Sequence, residues 1–267
     1  MKTRAITGIF FVIVMLASVL LGHYTFGAFY LLLSTVCLQE FYGLIKKSGS
    51  SPNQVTGIMN GAFIYIVFAF ITHDHAINSV LFLLPFTFAA VFIQELYNKS
   101  AAPFQDIAYT FSGLFFVIMP FTFFHALAYI GGGFNFHFPL AFLLMLWAND
   151  TGAYLSGRQF GKTKLFERHS PKKTWEGFIG GVAISAVVGY ILSRYYTELE
   201  WQEWVIMAIL ISCFGTLGDL VESMFKRSIN VKDSGGILPG HGGLLDRFDG
   251  LLIAAPIVYS YLYFITN

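Results

Sequence analysis

The chain has 267 residues, 56% of them hydrophobic and only 12% charged, with 30 phenylalanines and a mean hydropathy of +0.65. That excludes an ordinary soluble domain and points to an all-α, polytopic helical membrane protein. The formal net charge of +1 identifies no partner, because in such a chain the placement of charge matters more than its sum.

Apolar runs of about 17 to 25 residues, the length that crosses a bilayer, recur about nine times. They lie near residues 4–22, 25–45, 54–72, 76–96, 105–130, 137–156, 176–196, 203–225 and 244–265. Lys2 and Arg4 ahead of the first run resemble a signal peptide, but no small-x-small cleavage site follows, so the run reads as an uncleaved span. Cys37 and Cys213 fall inside apolar runs, with neither a disulfide framework nor a metal-ligand spacing. Pro85 and Pro120 lie inside spans and predict kinks. Most joining loops are short, which predicts a single integral membrane domain over 1–267, with N-terminal helices in 1–140 and a C-terminal half in 141–267.

If the spans alternate from a cytoplasmic N-terminus, 15 of the 16 Lys and Arg residues fall on the cytoplasmic side, and only Arg194 lands opposite. The C-terminus is then outside. Two cytoplasmic loops exceed the others in length and charge, 157–175 and 226–243. In the first, Ser170, Pro171, Lys172, Lys173 and Thr174 lead into the seventh span. Pro171 suits a first helical turn, and a helix N-terminus carrying two lysines suits an anion. Gly157, Gly161, Lys162 and Thr163 do not make a phosphate loop: the glycine spacing is one residue short and no strand precedes it.

The second loop is flanked by acids. Asp219 and Glu222 sit three apart near the end of the eighth span, and Asp246 and Asp249 sit three apart at the start of the ninth, so each pair shares a helix face. Asp219 lies about 9 Å inside its span at helical rise. Intramembrane carboxylates are costly unless partnered or hydrated, and they mark function more often than architecture. Asp219 and Asp246 on neighbouring helices suit a hard divalent cation, with Glu222 and Asp249 as further candidates. Between them lie Ser223, Lys226, Arg227, Lys232, Asp233 and the glycine-rich stretch with His241, Gly242 and Gly243, followed by Arg247. Paired acids, bases and glycines fit a metal held together with a polyphosphate. Asn149 and Asp150, ending the sixth span, and Arg158 complete the polar set. Glu40 and Glu95, near the ends of the second and fourth spans, read as interfacial partners of Lys46, Lys47 or Lys99.

At these residues the chain resembles the phosphatidate cytidylyltransferases, or CDP-diacylglycerol synthases. Ser223, Lys226, Arg227, Lys232, Asp233, Gly235, Leu238, Pro239, His241, Gly242, Gly243, Asp246, Arg247, Phe248 and Asp249 fill that family's signature without a gap. A second region of the family is matched by Asn149, Asp150, Ala153, Tyr154, Gly157, Arg158, Ser170, Pro171, Lys172, Lys173 and Thr174. The resemblance covers the C-terminal half. It implies transfer of CMP from CTP to phosphatidic acid, giving CDP-diacylglycerol and pyrophosphate in phospholipid biosynthesis. It also implies magnesium, a homodimer and, in a bacterium, the inner membrane. Asp219 and Asp246 would hold metal, with Lys226 and Arg227 as catalytic cations. Asn149, Asp150, Arg158, Lys172, Lys173, Thr174, Ser223, Lys232, Asp233, His241, Gly242, Gly243 and Arg247 would contact substrate. A cation-coupled transporter and a lipid kinase are the other classes with intramembrane acids or metal and phosphate, although no internal repeat supports the former.

Overall fold

The computed structural model describes residues 2–73, 80–236 and 242–266. Ten α-helices run in order among them: α1 (Lys2–Leu20), α2 (His23–Lys47), α3 (Gln54–His73), α4 (Leu84–Tyr97), α5 (Pro103–Gly113), α6 (Met119–Ala126), α7 (His137–Phe160), α8 (Trp175–Leu192), α9 (Trp201–Ser228) and α10 (Leu245–Thr266). Over the described residues the apolar runs of the sequence fall on these helices, the run 105–130 on both α5 and α6. Seven stretches among the described residues are long and apolar enough to cross a membrane: α2, most of α3, Val80–Tyr97, Pro103–Tyr129, α8, α9 and α10. The other two runs are α1, whose apolar part is Thr7–Leu20, and α7, which gives up apolarity to carry Asn149, Asp150 and Thr151.

α5 and α6 form one span because a π-helical turn, Leu114–Ile118, joins them. Pro120 follows immediately and has no N–H for the carbonyl four residues back, so the helix widens there. Pro85 lies inside the span Val80–Tyr97, at the first turn of α4, where no N–H is required.

The loop before α8 also departs from expectation. Pro171 does not start a helix. Residues Lys164–Phe166 (β1) and Ser170–Thr174 (β2) pair as a two-stranded antiparallel ribbon, with Lys164 opposite Thr174 and Phe166 opposite Ser170. A residue preceding proline is driven to extended backbone, and a two-stranded ribbon tolerates the missing donor. The helix instead starts after Thr174, whose Oγ1 accepts from the Gly177 N–H at 3.2 Å.

Without a hydrophobic force between helices in lipid, close contact needs small residues. On α7 and α8 they form a seam: a Cβ on Gly181 would sit 2.6 Å from Asn149 Oδ1, and one on Gly177 would sit 2.8 Å from the Ala153 carbonyl. α9 and α10 meet the same way, with a Cβ on Gly218 falling 2.4 Å from the Asp249 carbonyl oxygen. That contact sets Asp219 beside the start of α10. Aromatic packing ties the N-terminal helices to this pair, through Phe41 with Phe225 (ring centroids 5.0 Å apart) and Phe121 with Phe248 (5.5 Å).

Gly218→Ala separates this packing from simple helix propensity. If the contact were slack, alanine would stabilise α9 by about 1 kcal/mol. Against a backbone oxygen it should instead cost about 1–3 kcal/mol, read as a lower thermal unfolding midpoint in detergent together with reduced turnover.

Candidate active site

Asp219, on α9, forms an ion pair with Lys173 Nζ on β2 at 2.5 Å and accepts from Ser223 Oγ at 3.2 Å. One turn on, the fully buried Glu222 forms an ion pair with Lys226, whose Nζ also donates to Asp246 Oδ1 at 2.6 Å. Asp246 accepts further hydrogen bonds from the Ser234 N–H at 2.9 Å and the Gly243 N–H at 2.8 Å. Gly242 just before it has φ +82°, and a Cβ there would reach 2.7 Å from Asp246 Oδ2. Only glycine allows both that backbone and that approach. Asp246 therefore anchors the chain on either side of the glycine-rich stretch.

This geometry changes the expected division of labour. Lys226 is buried between two carboxylates and lines neither cleft described below, so its ammonium is committed within the fold rather than presented to a phosphate. Arg227 is exposed and donates from Nη1 to the Val231 carbonyl at 3.0 Å, closing the end of α9. Lys232 and Asp233 are exposed on the following loop. His241 lies outside the described residues. Glu40 and Glu95 do not reach the lysines proposed for them. Glu40 bonds Ser234 and Leu245, Glu95 bonds Asn53 and Asn98, and Lys46 gives its ammonium to Gln54. Both acids are buried, and in each the neighbouring amides and hydroxyls bond Oε2 while Oε1 has no hydrogen-bond partner.

Two clefts open at this end of the helices. The first, about 440 Å³, is lined by Asn149, Asp150, Arg158, Lys172, Lys173, Thr174 and Asp219, among others. The second, about 510 Å³, is bounded by Thr7, Gly8, Phe11 and Val12 of α1, by Leu146 and Trp147, and by Asp246, Arg247 and Asp249. They share Asp150, Lys173, Thr216 and Asp219. One is thus basic and polar, the other acidic on one wall and apolar on the next, and they join at Asp219.

The four proposed metal ligands are not gathered into one cage. Among the described residues no three His, Cys, Asp or Glu side chains are grouped to hold an ion. Glu222 and Asp246 are tied to Lys226, whereas Asp150, Asp219 and Asp249 lie within electrostatic reach of one another. Next to Asp150, the buried Asn149 Oδ1 has no hydrogen-bond partner. These are hard oxygen donors beside a cationic cleft, the donor set that suits a small divalent cation bridging to phosphate. Sequence reasoning missed Thr216 and the part of α1 in the second cleft. Neither carries a signal, since a threonine and an apolar stretch look the same wherever they pack.

Lys226→Met leaves Glu222 and Asp246 buried without their cation. Breaking such a cluster should cost about 3–5 kcal/mol, measurable by denaturant unfolding in detergent. Adding Glu222→Gln should recover part of the loss.

The chain is similar to known proteins over nearly its whole length. A profile of the cytidylyltransferase family matches residues 2–265. The phosphatidate cytidylyltransferase of Staphylococcus haemolyticus (strain JCSC1435) is 36% identical over 261 residues, covering 97% of both chains. Those of Staphylococcus aureus (strain COL) and Staphylococcus saprophyticus are 35% and 36% identical at the same coverage. The match runs through the N-terminal helices as well as the acidic and basic loops, and the chain belongs to the cytidylyltransferase family.

Proposed function

We infer that the chain transfers the cytidylyl group of CTP to phosphatidic acid, releasing pyrophosphate and forming CDP-diacylglycerol in the membrane. The relatives that match it over 97% of its length carry the name phosphatidate cytidylyltransferase. The structural observation that carries the reading is the meeting of two unlike clefts at Asp150, Lys173, Thr216 and Asp219. A triphosphate needs cationic walls, and the first cleft supplies Arg158, Lys172 and Lys173. A phospholipid needs an apolar approach to a polar head site, and the second cleft runs from Phe11, Val12 and Trp147 to Arg247. The lipid phosphate and the nucleotide α-phosphorus then meet at the shared residues.

The lipid phosphate oxygen forms the new bond to the α-phosphorus while the bond to the bridging oxygen of pyrophosphate breaks. No strong general base is required, because a phosphate monoester is already largely ionised near pH 7. Lys173 and Arg247 screen the two anions from each other, and Arg158 and Lys172 hold the leaving phosphates. Thr174, capping α8, fixes the ribbon that carries Lys172 and Lys173. We propose magnesium as the cofactor, held by Asp219 with Asp150 and Asp249. Bound there, it supplies charge neutralisation for attack and departure. Asp246, Glu222, Lys226, Ser223, Gly242 and Gly243 keep the acids in place. The cytoplasmic placement of the basic loops and a homodimeric assembly belong to the same proposal.

Asp219→Asn keeps shape but removes charge. With labelled CTP, phosphatidic acid and magnesium, label should stop entering the lipid phase, and turnover should fall by about 100-fold or more. Full turnover at low magnesium overturns the metal assignment. Release of a nucleoside diphosphate instead of pyrophosphate would indicate a kinase. For orientation, single cysteines at Ser170 and Thr197 in a Cys-free variant should label from opposite sides of the membrane, with Ser170 reacting from the cytoplasm.

A further inference from the structure

Glu40 lies on α2, far from the signature residues in sequence, yet its carboxylate is buried against them. Oε2 accepts from Ser234 Oγ at 3.1 Å and from the Leu245 N–H at 2.8 Å. Leu245 is the first residue of α10, so a side chain 205 residues earlier caps that helix. The two loop ends also press on it: a Cβ at Gly235 would lie 2.4 Å from Glu40 Oε1, and one at Gly243 would lie 2.5 Å from Oε2. The same loop ends are held from the other side by Asp246, through Ser234 N–H and Gly243 N–H. Both donors reach Oε2 and are neutral, a hydroxyl and an amide, and Oε1 has no hydrogen-bond partner, so what Glu40 supplies is one acceptor oxygen at the right reach.

We propose that Glu40 is a positioning residue for the transfer reaction: it clamps both ends of the α9–α10 loop and so sets where Asp246, Arg247 and Asp249 stand in the second cleft. The N-terminal helices thereby set the geometry of the active centre. This rests on the assignment of that loop to the active site.

Three variants separate reach from charge. Glu40→Gln keeps an acceptor oxygen at the same distance; Glu40→Asp keeps the charge but is one methylene short; Glu40→Ala removes both. In purified full-length protein, the Asp and Ala variants should lose about 10- to 100-fold in kcat, the penalty of misplacing a reacting group by about 1 Å. Glu40→Gln should stay within about threefold of wild type on the same scale. Hydrogen exchange of the peptide containing the Leu245 amide should quicken by about tenfold in Asp and Ala, as for one lost hydrogen bond, while α3 and α4 stay protected. Wild-type kcat in Glu40→Ala or Glu40→Asp overturns the proposal, as does a Gln variant worse than Asp, which would make the charge the essential feature. Faster exchange throughout the helices, with kcat falling only in step with the folded fraction, also overturns it in favour of a purely structural role. Asp246→Asn is assayed alongside. If it retains full turnover, the loop assignment itself falls and takes the clamp with it; if it is inactive while Glu40→Ala is normal, the clamp alone fails.

Discussion

The ammonium of Lys226 between Glu222 and Asp246 is the contact on which the rest of the site depends. Burying one cation with two carboxylates is unfavourable unless hydrogen bonds complete the set, and here the Ser234 and Gly243 amides do so at Asp246. The cluster joins the last turns of α9 to the first turn of α10. Helical periodicity then produces a division of labour. Asp219 lies one turn before Glu222 and Asp249 one turn after Asp246, so the outer member of each pair opens into the clefts while the inner member serves the fold. Only Asp246 takes part in both.

Two glycine seams make that division possible. Along α7 and α8 the close approach brings Asn149 and Asp150 toward the ribbon carrying Lys172 and Lys173. Along α9 and α10 it brings Asp219 toward Asp249. Neither group of polar side chains could converge if the helices stood at the separation that larger side chains impose. α1 contributes differently, by giving the second cleft an apolar side.

Much of this was legible in the chain itself. The apolar runs located the helices because membrane burial leaves a long uninterrupted signal, and the spacing of Asp219, Glu222, Asp246 and Asp249 announced a polar site on a helix pair. What stayed hidden depends on partners distant in sequence. Lys226 and Lys173 look alike as basic residues of a loop, and only the fold commits one to the interior and leaves the other at the cleft. Glu40 resembles any acid near a helix end until α10 arrives beside it. The ribbon at 164–174 is too short to leave a periodic pattern, and Pro171 suited a helix start as well as a strand.

The ion pair between Lys173 and Asp219 neutralises both groups where the two clefts meet. Self-neutralisation lowers the cost of holding both charges beside the hydrocarbon region. It also makes the two groups thermodynamic competitors for each other. An anion that takes Lys173 strips Asp219 of its counter-charge and raises its affinity for a cation; a cation that takes Asp219 releases Lys173 for an anion. By linkage the two enhancements are equal, so each ligand prepares the pocket for the other and neither is favoured alone.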